Sequence, residues 1–126
     1  MTARKICIAL LLIVVACRSE APRPYGLLDV KIDHLMENLQ GPEVELSSAA
    51  RHGQLGDESS RRNLALCAET LEKLEQLQHP DSEFRRLNQL NLAAVKELQE
   101  ATSPEARIAA WHRVERACAA CHQVYQ

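Results

Sequence analysis

The sequence predicts an all-α fold, an antiparallel four-helix bundle, and three observations lead to this prediction. The 126 residues include only four glycines and 3% aromatic residues, and no segment alternates polar and apolar residues in the way an exposed β-strand does. Four segments instead repeat apolar residues at helical spacing. The connections between these segments are short, which favours antiparallel neighbours in one domain, predicted over residues 27–126.

The first helix is predicted over residues 27–40, because Gly41 and Pro42 form a strong stop signal. The segment 43–56 that follows is ambiguous. Its first ten residues are compatible with a short helix, which the two glycines near its end would terminate. The apolar face of the first helix consists of Leu28, Ile32, Leu35 and Leu39.

The second helix is predicted to start after an N-cap at Asp57 or Ser59 and to run to about Gln78. His79 and Pro80 end it, because proline cannot continue a helix and restricts the residue before it. Its glutamates fall outward or on the flanks of the apolar stripe. That stripe comprises Leu64, Cys67, Ala68, Leu71 and Leu74.

The third and fourth helices have clearer starting signals. The third begins at Asp81 or Ser82, and the fourth has Ser103 as N-cap, Pro104 at the first helical position and Glu105 in the first turn. The predicted stripe of the third helix is Phe84, Leu87, Asn91, Ala94, Val95 and Leu98. That of the fourth is Ile108, Trp111, Val114, Cys118, His122 and Tyr125.

The end of the fourth helix carries the most specific chemical pattern in the chain. Cys118-Ala-Ala-Cys121-His122 has the C-x-x-C-H spacing of a c-type haem attachment site. There the two thiols add across the two vinyl groups of one porphyrin, and the adjacent imidazole becomes the proximal iron ligand. On a helix, Cys118 and His122 lie one turn apart on one face, and Cys121 flanks that face. We therefore expect one covalent haem c on the C-terminal helix.

Two other uses of a C-x-x-C pair are less well supported. A thiol–disulfide oxidoreductase usually has its pair at the start of a helix that follows a strand, and no βαβ pattern precedes this one. A zinc site needs a second ligand pair at similar spacing, and the sequence contains none. A haem-free redox protein therefore stays a remote alternative.

The N-terminal residues predict export and lipidation. Arg4 and Lys5 form a basic region, and residues 6–16 are an apolar run too short to span a bilayer. The run ends at Cys17 in a sequence similar to a bacterial lipobox, where diacylglycerol would be attached to this thiol and cleavage would make it the mature N-terminus. An ordinary secretory signal is the alternative. We expect residues 1–16 to be a lipoprotein signal peptide, residues 17–26 a tether, and the protein to be anchored to a membrane in the bacterial periplasm.

Charge and cysteine usage agree with this prediction. Loss of Arg4 and Lys5 with the signal would change the net charge from −2 to −4, and no basic patch points to nucleic acid. Cys7 would leave with the signal, so that only Cys67 has no assigned chemistry. We therefore expect no internal disulfide, and we interpret Cys67 as a small buried apolar residue.

The C-terminal half resembles a known family, the class II c-type cytochromes, which comprise the cytochrome c-prime group and its low-spin relatives. The likeness covers residues 27–126 and is specific from Ser103 onward, in the motif that ends Cys-Ala-Ala-Cys-His-Gln-Val-Tyr. It implies a four-helix bundle and a role in electron transfer or gas binding. The family commonly has Arg or Lys after the tyrosine, where this chain has Gln126. It often has an Arg-Gln pair in the first helix, which this chain lacks.

The sixth iron position distinguishes the two activities. A sulfur or imidazole ligand there gives a closed electron carrier, whereas a non-ligating residue leaves a site open to nitric oxide or carbon monoxide. Relative to Leu28, Met36 lies about 80° around the helix, at the edge of the apolar face, and His34 lies about 240° around, on the far side. We therefore favour Met36 as the sixth ligand, with a gap-filling core thioether as the alternative.

The other candidate residues have ordinary explanations. His52, His79 and His112 are expected at the surface. Trp111 and Tyr125 lie on the predicted haem-bearing face, where packing is the default role and contact between Trp111 and the porphyrin edge is compatible with the pattern.

The function expected from the sequence is therefore that of a monohaem electron carrier. It would not be an enzyme, would exchange electrons with redox partner proteins of the envelope, and would be tethered to the membrane by its N-terminal lipid. Whether it forms a homodimer is left open. The alternative is a five-coordinate protein that binds nitric oxide or carbon monoxide.

Overall fold

The computed structural model describes residues 25–125, and in this range the chain forms four α-helices and no strand. Successive helices pack against each other along the chain, α1 on α2, α2 on α3 and α3 on α4. This confirms the predicted all-helical fold with four helices. The bounds of the helices are α1 Leu27–Arg51, α2 Glu58–Gln76, α3 Ser82–Glu100 and α4 Pro104–Val124.

Helix α1 is longer than the sequence predicted, and the expected stop at Gly41-Pro42 is wrong. The helix continues through Pro42 to Arg51. An internal proline removes one helical hydrogen bond and costs about 3 kcal/mol. The residues beyond it compensate, because Leu46 and Ala49 are buried in the core and would lose that burial if the helix stopped. Tertiary packing therefore overrides the local signal.

The actual end of α1 has a clear local cause. Gly53 has a φ of +66°, in the left-handed region that glycine adopts without a steric penalty. The N–H of Gln54 donates to the carbonyl of Ala49 over 2.8 Å, which satisfies one of the last helical carbonyls in a Schellman-type closure. The predicted break near this glycine is therefore confirmed.

The predicted starts of α3 and α4 are confirmed by their capping contacts. Asp81 Oδ1 accepts a hydrogen bond from the Glu83 N–H at 2.9 Å, and Ser103 Oγ accepts one from the Ala106 N–H at 3.1 Å. Pro104 occupies the first helical turn, where its missing N–H has no cost. These caps define both helix starts by local hydrogen bonds.

The core lies along the predicted stripes of α2 and α3. All five stripe residues of α2 and all six of α3 are buried, and Cys67 among them is 7% exposed, as expected for a small apolar residue. The stripe of α1 differs, because its N-terminal half packs on the core but stays half-buried. Those half-buried residues are Leu28, Ile32, Leu35, Met36 and Leu39.

One end of the helix array is closed by an aromatic cluster, and the expectation that His79 lies at the surface is wrong. His79 is 2% exposed and stacks on Phe84 with ring centroids 4.2 Å apart. Tyr25 and Tyr125 both meet the His79 ring at a steep angle. The rings come from three separate chain segments, so that the turn position of His79 gave no indication of its burial. His52 and His112 are exposed, as expected.

The signal peptide over residues 1–16, the lipidation site Cys17 and most of the predicted tether lie outside the described residues. Tyr25, the last tether residue but one, contacts His79 and donates its N–H to Asp29 Oδ2 at 2.9 Å. Within residues 25–125 no helix combines the length and the apolar character needed to cross a bilayer.

Candidate haem-attachment site

The C-x-x-C-H motif lies on the last two turns of α4, at the end of the array closed by the aromatic cluster. Ser103 caps the start of this helix, and side-chain contacts hold the helix to α3. The guanidinium of Arg113 forms an ion pair with Glu97, with Nε donating to Oε2 at 2.9 Å. Near the end of the helix, the Tyr125 hydroxyl donates to the Asp81 carboxylate. Two contacts therefore hold α4 against α3, one near the middle of α4 and one at its end.

A buried amide holds the first cysteine of the motif. Asn91 of α3 is 7% exposed, and its Nδ2 lies 3.4 Å from Cys118 Sγ, while the thiol lies 3.6 Å from Asn91 Oδ1. An amide in an apolar stripe needs a polar partner, because burying it unpaired costs about 1–3 kcal/mol. The sequence placed Asn91 in the stripe of α3, but its pairing with Cys118 depends on how α3 and α4 meet.

The three thiols of the described chain are protonated at neutral pH. Burial raises the pKa of Cys118 to about 11, against a smaller opposing effect of the Asn91 hydrogen bond. Burial also raises the pKa of Cys67 to about 11, with further contributions from Cys118 and from the charge of Glu43. Burial raises the pKa of Cys121 as well. No two of these cysteines form a disulfide.

The motif residues differ in their exposure. Cys121 is 6% exposed, Cys118 is half-buried and His122 is exposed. Relative to Trp111, Cys118 lies at about 340° around the helix and His122 at about 20°, at 100° per residue. The imidazole therefore lies within about 40° of Cys118 around the helix. It is exposed, whereas Cys118 contacts Asn91 of α3.

Helices α1 and α4 pack less extensively than successive helices do. Among the described residues, no close backbone approach like that between successive helices joins α1 to α4. Glu43 of α1 lies near enough to Cys118 for its charge to raise the pKa of that thiol. Further toward its start, α1 presents a half-buried apolar stripe. Helix α1 therefore has an incompletely covered apolar stripe toward its start and a carboxylate, Glu43, near Cys118.

The two candidate sixth ligands lie differently on α1. Met36 is half-buried and packs against the core, whereas His34 is exposed. At about 1.5 Å per residue, Met36 lies roughly 16 Å from Tyr25 along α1, whereas His122 lies about 5 Å from Tyr125 along α4. Tyr25 and Tyr125 both meet the His79 ring, so that Met36 lies further from this end of the array than His122 does.

Trp111 and Tyr125 both have packing or hydrogen-bond partners within the described chain. Trp111 is 4% exposed in the core and lies about 10 Å along the helix axis from Cys118 at 1.5 Å per residue. Tyr125 is half-buried, contacts Phe84 and donates to Asp81, and burial followed by this hydrogen bond raises its pKa to about 12. Contact of Trp111 with a porphyrin edge stays a prediction.

No family model, no curated protein and no solved structure matches this chain. Within residues 25–125, no group of three or more histidine, cysteine or acidic side chains is arranged to hold a metal ion.

Proposed function

We propose that this protein is a monohaem c-type cytochrome that transfers electrons at the bacterial cell envelope. The observation that carries the proposal is the placement of Cys118, Cys121 and His122 together on the last turns of α4, in a helix array whose α1 has an incompletely covered apolar stripe. A thiol pair at this spacing with an adjacent imidazole is the donor set for one covalent haem. When bound, the haem supplies an iron that alternates between the ferrous and ferric states.

The residues present fit this group. Cys118 and Cys121 would each form a thioether, as the S–H adds across a vinyl double bond and its proton goes to carbon with no leaving group. His122 is exposed, so that its imidazole is free of packing contacts that would prevent it from ligating iron. The apolar stripe of α1 offers a surface that a porphyrin face would cover, and its burial would be worth about 25 cal/mol per Å² of apolar area.

The burial of the thiols supports attachment before the end of α4 docks. Cys121 is 6% exposed, and burial raises the pKa of both motif thiols. In the docked state they are therefore poorly accessible and almost entirely protonated, which lowers their reactivity. We propose that the exported chain receives its haem while these last turns are still open, and that docking of α4 against α3 follows.

Met36 is the residue that we propose as sixth iron ligand. It is the one sulfur-bearing side chain of the described part of α1, and it borders the apolar stripe. A thioether ligand favours ferrous iron and raises the reduction potential, which suits an electron carrier. The signal peptide, the lipid on Cys17 and the envelope location belong to the same proposal, because c-type haem is attached to bacterial chains after export.

The ligands are tested by optical spectra of protein produced with the haem-attachment machinery. We expect a low-spin ferric spectrum with the weak long-wavelength sulfur-to-iron band. Met36→Leu keeps the side-chain volume but removes the sulfur, so that it should abolish this band and allow carbon monoxide to bind. His122→Ala should lose the native Soret spectrum, whereas His112→Ala, at an exposed position of the same helix, should keep it.

Two results would change the proposal. A high-spin ferric spectrum in the wild type, with rapid carbon monoxide binding to the ferrous form, would favour the five-coordinate gas-binding alternative. Identical spectra for wild type and His122→Ala would show that another group binds the iron.

A further inference from the structure

The exposed apolar side chains of the described residues are concentrated at one end of the helix array. We call this the motif end, because the aromatic cluster and the C-x-x-C-H motif both lie there. Its exposed apolar residues are Tyr25, Leu27, Val30 and Val124, with exposed fractions of 41% to 70%. The other large apolar residues that are exposed within residues 25–125 lie about two turns or more from either end of their helices, and these are Val44, Leu66 and Leu90. Among the described residues, the opposite end therefore presents none.

The exposed residues of the motif end face away from the core. Relative to Leu28, Leu27 and Val30 lie at about 260° and 200° around α1, on the side away from its half-buried stripe. Val124 is the last residue of α4 and lies about 220° around that helix from the buried Trp111. A haem placed between the motif and the α1 stripe would therefore leave these three side chains uncovered.

The N-terminal chain joins the domain at the same end. The Tyr25 ring lies on His79 with centroids 4.7 Å apart, and the Tyr25 N–H donates to Asp29. Eight peptide links join Cys17 to Tyr25, and they span at most about 29 Å when fully extended. A lipid on Cys17 would therefore hold the motif end within about 29 Å of a membrane surface. The opposite end is separated from Tyr25 by the length of α1, about 37 Å.

Lipid is the surface that this anchor brings to the exposed apolar residues. A short tether gives the two linked surfaces an effective concentration in the millimolar range, so that a weak contact between them is well populated. Leucine and valine side chains lose unfavourable contact with water when they enter the boundary between headgroups and acyl chains. A tyrosine beside them suits the same depth, because its ring is apolar and its hydroxyl stays hydrated.

We propose that the motif end rests on the membrane surface, with Leu27, Val30 and Val124 in contact with lipid. This inference rests on the proposed acylation of Cys17, and it assigns a lipid surface as the partner of this end of the domain. The C-x-x-C-H motif would then lie close to the bilayer. Its electrons would be exchanged with a redox protein embedded in the same membrane.

Photo-crosslinking to lipid tests this orientation on the full chain, exported and loaded with haem. The acylated protein is inserted into vesicles of phosphatidylethanolamine and phosphatidylglycerol that contain a lipid with a diazirine near its headgroup. After irradiation and tryptic digestion, mass spectrometry quantifies the lipid adducts on each peptide. Trypsin places Val124 in residues 117–126, Leu66 in residues 63–73 and Leu90 in residues 87–96, so that the motif end is compared with the middle of the array.

We expect the adducts on residues 117–126 to exceed those on either control peptide at least about tenfold, the population ratio that 1.4 kcal/mol of preference for one orientation produces. Leu27→Ser should lower this excess up to about tenfold, because it removes one of the lipid contacts. The substituted residue is outside the measured peptide, so that the change reports on the orientation of the domain. Leu66→Ser is the matched control, because this exposed leucine lies in the middle of α2 and should leave the excess unchanged.

The intact mass of the purified protein separates the possible failures. Acylated protein with adducts spread evenly over the three peptides, or with equal effects of Leu27→Ser and Leu66→Ser, would overturn the orientation and leave the proposed lipoprotein intact. A chain without acyl groups would overturn both. A dimer of the Cys17→Ser chain that Leu27→Ser dissociates would assign the exposed residues to a second copy and would overturn the lipid contact.

Discussion

The buried thiol of Cys67 should make the protein lose stability in alkaline solution. Its pKa in the folded chain is about 11, against an ordinary value of 9.0, mainly because burial disfavours the thiolate. The folded state therefore retains the proton that the unfolded state loses. The stabilisation is complete below pH 9, falls between pH 9 and pH 11, and is lost above that range.

The size of this loss follows from the shift in pKa. Two pKa units correspond to about 3 kcal/mol of unfolding free energy. Cys118, with a pKa also near 11, would add to the loss in a haem-free chain. Because Cys118 is only partly buried, solvent screening makes its addition smaller than that of Cys67. In the haem-loaded protein the Cys118 sulfur would be a thioether and would not titrate, so that only the contribution of Cys67 would remain.

Urea denaturation under reducing conditions at a series of pH values between 8 and 11 measures this loss. Cys67→Ala leaves a small cavity, and the free energy that the cavity costs does not depend on pH. The comparison therefore uses the change of unfolding free energy with pH and not its absolute value. Between pH 8 and pH 11, we expect the unfolding free energy of the haem-loaded protein to decrease by about 2 to 3 kcal/mol less in Cys67→Ala than in the wild type. An unchanged slope in this variant would show that Cys67 is not the titrating group.

Two further predictions concern α1 and α4. Pro42→Ala should restore a helical N–H donor and raise the unfolding free energy by about 1–3 kcal/mol. The control Pro104→Ala, at the first helical position, should change it by less than about 0.5 kcal/mol. Equal effects of the two substitutions in urea denaturation would contradict the continuous α1. Tyr125→Phe removes the main cause of the lowered Asp81 pKa, so that this pKa should rise toward its ordinary 3.8. The stability that Asp81 contributes above its ordinary pKa is lost as pH falls through its folded pKa, so that the variant should lose less unfolding free energy on acidification. Carboxyl ¹³C chemical shifts measured against pH give the Asp81 pKa, and an unchanged value in the variant would show that the hydrogen bond is absent in solution.

The parts of the fold that were predicted correctly depend on short-range rules. Ser103 and Asp81 accept hydrogen bonds from N–H groups two or three residues further on, so that a local pattern is sufficient to place the starts of α3 and α4. The buried stripes of α2 and α3 follow from the period of the helix, because both helices have neighbours on two sides.

The parts that the sequence did not predict depend on contacts between distant segments. The continuation of α1 past Pro42 is decided by the burial of Leu46 and Ala49 against other helices, which outweighs the local cost of the proline. The burial of His79 requires rings that lie far apart in sequence. Within the site, the residue types of the motif follow from the sequence, but the pairing of Asn91 with Cys118 depends on the relative height of two helices.

The covalent attachment of haem to Cys118 and Cys121 is the central claim, and mass spectrometry tests it directly. Protein produced with the haem-attachment machinery is extracted with acid and acetone and digested with trypsin, which cuts after Arg116 and separates the motif from Cys67. We expect the peptide that follows Arg116 to retain the mass of one haem, and we expect Cys67→Ser to leave that result unchanged. A motif peptide at its unmodified mass, with all haem in the organic layer, would contradict the account.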